Sequence, residues 1–214
     1  MFNDRKDAGQ KLGKALINYK SLDALVLAIP RGGVEVGYYV AEKLEIPLSL
    51  IVVRKLPFPL NPEAGFGAIA EDGSIFFVDS AYSKKSLKVT KEIIEGQKRE
   101  LKRRIEVLRA GKPLPEISGK IVILVDDGIA MGSTMQAAIM LCRNRNAKKV
   151  VASAPVAGPA TVKELDKVAD DVVVLEKPPF FRAVAEVYRR WYDVGDGEVI
   201  RIMQKKQKID GMIK

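Results

Sequence analysis

Short runs of apolar residues alternate with longer amphipathic segments along most of this chain. Five runs are predicted to be strands: residues 24–29, 48–53, 121–125, 150–154 and 172–175. Uninterrupted apolar runs of this length are typical of strands that are buried on both faces of a parallel sheet. Helices are predicted between them at residues 34–44 and 132–145 and after Pro159. The alternation predicts an α/β fold, in which a central parallel sheet is flanked by helices.

The segment from residue 57 to residue 117 departs from this alternation. Prolines and glycines interrupt residues 57–67, and residues 74–78 are predicted to be an edge strand. Residues 83–110 are predicted to form one long helix with a narrow apolar stripe. The stripe recurs every seven positions, at Leu87, Ile94, Leu101 and Leu108. Such a stripe can pack on its own domain or pair two subunits.

We predict a single domain over residues 1–214. Its core comprises about residues 20–56 and 118–176, and residues 57–117 form an insert that carries the long helix. Residues 177–214 follow the last core strand and end in a basic tail. Ligands of open α/β sheets bind beyond the carboxyl ends of the strands, so the residues that follow each strand are the candidates for a site.

The composition excludes several classes of chemistry. The chain has one cysteine, Cys142, and no histidine, which excludes an internal disulfide, a zinc finger and every histidine-based catalytic triad. No apolar run approaches the roughly 20 residues that span a bilayer. The N-terminus, Met1 to Asp7, is polar and does not resemble a signal peptide. We therefore expect a cytoplasmic protein with no membrane partner.

The net charge of +9 is concentrated in two regions. Residues 83–112 hold eleven Lys or Arg against four Glu, and residues 201–214 hold five Lys or Arg against Asp210. Such regions attract polyphosphates or nucleic acid. A charged helix is usually a solvated face, and no nucleic-acid-binding module is recognisable, so nucleic acid is not expected as a partner.

The chemistry-bearing residues follow the strand at 121–125. Asp126 and Asp127 come first, and the loop from Gly128 then leads into a helix at Gly132. A loop that enters a helix at its amino end presents free N–H groups to an anion, and glycine allows close approach to the backbone. The hydroxyls of Ser133 and Thr134 add donors to a phosphate. Carboxylates accept hydrogen bonds from vicinal hydroxyls, so the pattern predicts a cradle for a ribose 5-phosphate.

Residues 125–134 resemble the signature of type I phosphoribosyltransferases. The resemblance implies that Asp126 and Asp127 bind the ribose hydroxyls of 5-phosphoribosyl-1-pyrophosphate, and that Asp127 is also catalytic. It implies that the turn that follows holds the 5′-phosphate; this turn comprises Gly128, Ile129, Ala130, Met131, Gly132, Ser133 and Thr134. Met131 stands where the family usually has threonine, so one hydroxyl donor is missing.

The same resemblance assigns further positions. Arg31, Gly32 and Gly33 are similar to the family's pyrophosphate loop, and Arg54 and Lys55 match a basic position near the pyrophosphate. The family covers its site with a hood, formed here by part of the insert and by residues after 176, and Phe181 stands about where an aromatic stacks on the base. The family's 6-oxopurine enzymes carry an aspartate at the place of Ala130, so hypoxanthine and guanine are disfavoured as acceptors.

The resemblance implies a transferase of nucleotide salvage. It would bind 5-phosphoribosyl-1-pyrophosphate with Mg²⁺ and transfer the phosphoribosyl group to a base, with release of pyrophosphate. The metal would be held through the substrate and water, without direct protein ligands. The alternative is a non-catalytic regulator that senses the same ligand and contacts nucleic acid through the basic helix and tail. A homodimer is expected with either function.

Overall fold

The structure is a computed structural model, and it describes residues 1–20, 22–59, 61–79, 88–180 and 183–212. The central sheet is built from β1 (Ala24–Ala28), β2 (Leu48–Leu50), β6 (Ile121–Val125), β7 (Lys149–Val156) and β8 (Asp171–Glu176). These five strands are parallel and lie in the order β2-β1-β6-β7-β8. The predicted α/β architecture is confirmed.

The register of β1 and β6 brings their carboxyl ends to the same level. Ala28 lies opposite Val125, and the Ile29 N–H donates to the Val125 carbonyl at 2.9 Å. Side chains of β1 alternate between two cores: Leu25 and Leu27 face one, while Val26 faces the other. Both faces of the sheet are therefore covered, which explains why its strands are continuous apolar runs in the sequence.

Helices cover both faces of this sheet. They are α1 (Arg5–Ala15), α2 (Gly32–Leu44), α3 (Lys88–Arg109), α4 (Ser133–Asn144), α5 (Pro159–Leu165) and α6 (Asp196–Met212), with short 3₁₀ turns at Ile17–Tyr19 and Val184–Val187. The helices α1, α2 and α6 pack on one face, and α4 and α5 pack on the other.

Helix α1 lies directly against α2, and the sequence patterns did not predict it. A Cβ atom at Gly9 would lie 2.8 Å from the Val36 carbonyl oxygen, so the glycine is what allows the two helices to approach. The helix begins with a reciprocal cap. The Asp4 carboxylate accepts the N–H of Asp7 at 2.9 Å, and the Asp7 carboxylate accepts the N–H of Asn3 at 3.0 Å.

A second sheet occupies the segment with the prolines and glycines, and its last strand confirms the edge strand predicted at residues 74–78. Its strands are β3 (Val53–Phe58), β4 (Asn61–Ala70) and β5 (Ile75–Phe77), and they are antiparallel in the order β3-β4-β5. The prediction of a single strand at residues 48–53 is therefore wrong, because β2 ends at Leu50 and β3 starts at Val53. At the break, the Val52 N–H donates to the Glu71 carboxylate at 2.9 Å rather than to a strand of the central sheet.

The long helix α3 is confirmed over residues 88–109, while its predicted start at 83–87, with Leu87, lies outside the described residues. Leu101 is buried against Leu56 and Phe66 of the second sheet, and Leu108 is buried against the central core. Arg109 forms a buried ion pair with Glu71 and donates to the Leu50 carbonyl at 3.0 Å. The apolar stripe thus packs on its own domain, and the homodimer stays a prediction.

The region after β8 contains a helix, α6, where the sequence predicted only a basic tail. Residues 184–192 run back over the carboxyl edge of the sheet, and α6 then packs on α2 through Val199 and Met203. Across the described ranges, every helix is too short or too polar to span a bilayer.

Candidate functional site

Two loops meet at the carboxyl edge of the central sheet. One leads from β1 into α2 through Gly32 and Gly33, and the other follows β6 at Asp126 and Asp127. A Cβ atom at Gly32 would lie 1.8 Å from the Asp127 Oδ2 atom, and one at Gly33 would lie 2.8 Å from the Val125 carbonyl oxygen. Only glycine permits this contact, so the sequence Gly32-Gly33 brings the two loops together.

The loop after Asp127 is anchored at two points and then opens into α4. The Ile129 N–H donates to the Val156 carbonyl at 2.8 Å, and the Thr161 hydroxyl donates to the Ala130 carbonyl at 2.7 Å. Gly132 has a left-handed φ of 78°, and a Cβ there would lie 2.9 Å from the Thr161 methyl group. Glycine is therefore required at this bend.

The amino end of α4 is free to bind an anion. Within the described residues, Gly132 at the start of the helix provides no side-chain cap, and the first N–H groups of a helix have no partner within it. In the same part of the chain, neither the Ser133 nor the Thr134 hydroxyl makes a hydrogen bond, and Met131 is 59% exposed beside them. Free N–H and hydroxyl donors of this kind are what a phosphate site requires, and phosphate binding here stays a prediction.

Asp126 lies half-buried between the two loops. Its Oδ1 atom accepts the N–H of Asp127 at 2.8 Å. Burial, followed by the neighbouring Asp127 carboxylate, raises the pKa of Asp126 well above its usual value. A ligand that brings hydrogen-bond donors or positive charge would stabilise the ionised form of this carboxylate.

Asp127 forms an ion pair within the protein. Its Oδ2 atom accepts the Arg5 Nε–H at 2.9 Å, and the side chains are only 13% and 3% exposed. Burial raises the pKa of Asp127, and Arg5 offsets part of that rise. The pairing commits one carboxylate oxygen of Asp127 to the protein, and the binding of ribose hydroxyls by Asp126 and Asp127 stays a prediction.

A family model for the phosphoribosyl transferase domain matches residues 5–189. The chain belongs to the type I phosphoribosyltransferase family. The matched range includes both loops at the carboxyl edge of the sheet.

Individual relatives agree with this assignment. Two Mycobacterium tuberculosis proteins, from strains CDC 1551 / Oshkosh and ATCC 25618 / H37Rv, are each named "Putative phosphoribosyl transferase" and are 38% identical over 210 residues. The match covers 97% of this chain and 47% of each relative, so the chain spans about half of their length. The crystal structure of TT1426 from Thermus thermophilus is 35% identical, with a TM-score of 0.81, and the alignment covers 96% of this chain and 98% of that one.

In this member of the family, residues that precede and follow the core enclose Asp127. Arg5 also donates to the Tyr192 carbonyl at 2.8 Å, and its guanidinium carbon lies 4.1 Å from the centre of the Trp191 ring. The Tyr188 hydroxyl donates to the Asp127 carbonyl at 2.6 Å. Asp127 is thus enclosed by Gly32, by α1 and by residues 188–192.

The predicted basic residues divide between two places. Arg54 and Lys55 lie within β3, not in a loop after the second core strand, and adjacent residues of a strand project from opposite faces. Arg54 donates to the Gln97 side chain at 3.0 Å, whereas the Lys55 side chain packs against Gly65. Arg31 stands at the amino end of α2, with its Nη1 atom 3.7 Å from the Asp196 carboxylate. Arg54 and Arg31 are close enough for their charges to interact.

Two further predictions concern the base and the metal. Phe181, the expected base-stacking residue, lies outside the described residues, and its neighbour Phe180 is exposed. In the described part of the chain, no three His, Cys, Asp or Glu side chains are arranged to hold a metal ion.

Sequence reasoning did not identify Arg5 as a residue of this site. The Asp4 and Asp7 pair that caps α1 was the available signal for a helix at this position. The burial of Arg5 depends on Asp127, which lies 122 positions further along the chain, and no local pattern reports that.

Proposed function

We propose that the protein binds 5-phosphoribosyl-1-pyrophosphate and transfers its phosphoribosyl group to a nitrogenous base, with release of pyrophosphate. The observation that carries the proposal is the contact of Gly32 and Gly33 with Asp126 and Asp127, beside the free amino end of α4. This contact unites two donor-rich loops and two carboxylates in one space, which suits a sugar that bears phosphate groups at two positions.

Each part of the ligand has a matching group. The amides and hydroxyls at the start of α4 bind the 5′-phosphate, with Ser133 and Thr134 as side-chain donors. Asp126 accepts hydrogen bonds from the ribose hydroxyls, and the Asp127 oxygen that is not paired with Arg5 is a second acceptor. Arg31 and the backbone of residues 32–33 bind the pyrophosphate.

The reaction follows from this arrangement. A nitrogen of the base attacks C1 of the ribose while the bond from C1 to the pyrophosphate oxygen breaks, and the electron pair leaves with pyrophosphate. The base loses a proton to solvent or to a neighbouring group. Positive charge develops on the sugar ring during bond breaking, and the carboxylates of Asp126 and Asp127 stabilise it. Arg31 stabilises the negative charge of the leaving group.

Asp126 also fits a role with Mg²⁺. Its carboxylate is half-buried, and the nearby Arg5 pairs with Asp127 rather than with Asp126. A divalent cation carried by the substrate would therefore compensate the charge of Asp126 through water. The ion would neutralise part of the negative charge of the pyrophosphate. The acceptor is proposed to be a base other than a 6-oxopurine, because Ala130 offers no carboxylate to the base.

Replacing Asp126 by asparagine tests the proposal. We expect ribose 5-phosphate and 5-phosphoribosyl-1-pyrophosphate to bind about 10- to 100-fold more weakly, since a charge-assisted hydrogen bond contributes on the order of 1.5–3 kcal/mol. Isothermal titration calorimetry measures this, with the exposed Asp166→Asn variant as the control. An Asp126→Asn variant with wild-type affinity would contradict the assignment.

The pH dependence of the same binding gives a second test. Because burial raises the pKa of Asp126, the ionised acceptor becomes more abundant as the pH rises through that pKa. Wild-type affinity should therefore increase with pH, and the increase should be smaller in Asp126→Asn. Turnover is measured as pyrophosphate release with a panel of bases, and binding without release from any base would restrict the function to ligand sensing.

A further inference from the structure

Arg5 is a buried positive charge beside Asp127, although it belongs to α1 and to neither of the two loops at the carboxyl edge. Its side chain is only 3% exposed. The Nε–H donates to the Asp127 Oδ2 atom at 2.9 Å, and Nη1 donates to the Tyr192 carbonyl at 2.8 Å. Its guanidinium carbon lies 4.1 Å from the centre of the Trp191 ring. A guanidinium with this many fixed contacts has one orientation.

The contacts of Asp127 fix its backbone and one side of its carboxylate. Its N–H donates to the Asp126 carboxylate at 2.8 Å, and its carbonyl accepts the Tyr188 hydroxyl at 2.6 Å. The Oδ2 atom accepts the bond from Arg5 and lies against Gly32, where a Cβ atom would come within 1.8 Å of it. The carboxylate can rotate only by breaking the bond to Arg5, so this bond decides where the other oxygen, Oδ1, points.

The first turn of α2 takes part in holding Arg5. The Tyr192 hydroxyl donates to the Glu35 carboxylate, and Glu35 lies one turn after Gly32 in the same helix. A closed series of contacts therefore leads from Gly32 along α2 to Tyr192, from there to Arg5 and Asp127, and back to Gly32. A shift of any member changes the position of the Asp127 carboxylate relative to the loop.

The pairing with Arg5 also favours the charged form of Asp127. Burial raises the pKa of Asp127, and both the charge of Arg5 and its hydrogen bond oppose that rise. An ionised carboxylate accepts stronger hydrogen bonds from hydroxyl groups than a neutral acid does. Arg5 thus influences the orientation and the charge of an acceptor from a position behind it.

We propose that Arg5 is a positioning residue, which orients Asp127 so that its Oδ1 atom accepts a hydrogen bond from one ribose hydroxyl of the ligand. The ligand class is a sugar phosphate with vicinal hydroxyls. Arg5 acts through Asp127 rather than by contact with the ligand, and its effect is the discrimination of ribose from deoxyribose. This inference rests on the proposed function and deepens it, because it assigns a residue outside the family's signature loop to sugar recognition.

The test compares three ligands by calorimetry: ribose 5-phosphate, 2-deoxyribose 5-phosphate and 3-deoxyribose 5-phosphate. In the wild type, the sugar that lacks the partner of Asp127 should bind about 10- to 100-fold more weakly than ribose 5-phosphate. Arg5→Lys keeps the positive charge, but an ammonium group does not have the planar fork that reaches Asp127 and Tyr192 together. In this variant the preference for ribose over that sugar should fall below about threefold, because the two changes remove the same interaction.

Arg190→Lys is the matched control. Arg190 also joins the N-terminal segment to residues after β8, through Asp4, but its side chain is 75% exposed. This variant should keep the wild-type preference for ribose. A purely structural role of Arg5 gives a different result, in which Arg5→Lys weakens the binding of all three sugars by the same factor and keeps the preference. That result would overturn the proposal.

The outcomes separate this proposal from the proposed function. A wild type that does not bind ribose 5-phosphate would overturn both. A wild type that binds all three sugars equally would overturn only the contact of Asp127 with a hydroxyl, and with it the role of Arg5. If Arg5→Lys does not fold, Tyr192→Phe replaces it, since this variant loses the bond to Glu35 and keeps the ring beside Arg5. The preference for ribose should then fall at least roughly threefold, and an unchanged preference would refute the proposal.

Discussion

Replacing Arg5 by methionine is expected to lower the free energy of unfolding by about 3–5 kcal/mol, because removal of one partner from a buried ion pair leaves the other charge uncompensated. The partner, Asp127, already lies beside the carboxylate of Asp126. The variant also loses the hydrogen bond from Arg5 to the Tyr192 carbonyl. Urea denaturation followed by circular dichroism measures the change.

The matched control is Arg190→Met. Arg190 also joins the N-terminal segment to residues after β8, through Asp4, but its side chain is 75% exposed. An exposed pair of this kind contributes about 0–1 kcal/mol. Similar losses in the two variants would mean that Arg5 has no special role. The double variant Arg5→Met with Asp127→Asn should recover part of the lost stability, because both buried charges are then absent.

Replacing Gly32 by alanine is expected to abolish measurable binding of both pyrophosphate and ribose 5-phosphate. The added methyl group would lie 1.8 Å from the Asp127 Oδ2 atom, and that atom is held in place by Arg5. Either the loop or the ion pair must move, and both belong to the proposed site. Strain of this kind typically costs about 1–3 kcal/mol of stability. Calorimetry measures the binding, and urea denaturation measures the stability.

Gly96→Ala is the control for that substitution. Gly96 lies within α3, where the nearest atom to an added Cβ would be an Arg99 side-chain nitrogen at 3.9 Å. Alanine is favoured over glycine in a helix by about 0.8–1 kcal/mol, so this variant should be slightly more stable and should bind both ligands normally. Wild-type binding by Gly32→Ala would show that the two loops do not have to touch.

The central sheet and the loop at 126–134 could be predicted because their signals are local. Residues 121–125 form an apolar run, and the acidic pair, Gly132 and the two hydroxyl residues follow within nine positions. The predicted parallel order of strands then implies that the loops after β1 and β6 share an edge. The contact between Gly32 and Asp127 is a consequence of that register.

The first two strands of the second sheet could not be predicted, because glycine is typical both of loops and of strands that approach each other closely. Gly65 and Gly67, with the nearby prolines, are typical of a loop. In the structure a Cβ at Gly67 would lie 2.1 Å from the Phe76 carbonyl oxygen, so glycine serves the close approach of neighbouring strands. The register of β3 and β4 also shifts around Pro57. Only the partner strand distinguishes this arrangement from a loop.

The charged parts of the site were the least predictable. The buried Arg5 is stabilised by Asp127 and by aromatic rings that are distant in the sequence. The sequence pattern of a basic helix does not distinguish a solvated surface from a surface that is paired with acids elsewhere in the chain. Arg103 of α3 pairs with Glu100 and with Asp196, and Asp196 lies 93 positions from it in the sequence.

The bonds of Arg5 have a consequence for the order in which the molecule assembles. They join it to residues 122 and 187 positions later, and contacts that close such long loops form late in folding. During synthesis on the ribosome, Asp127 emerges well before Tyr192. The nascent chain can therefore complete its parallel sheet before Arg5 gains its bond to the Tyr192 carbonyl, so the enclosure of Asp127 is expected to follow the formation of the sheet.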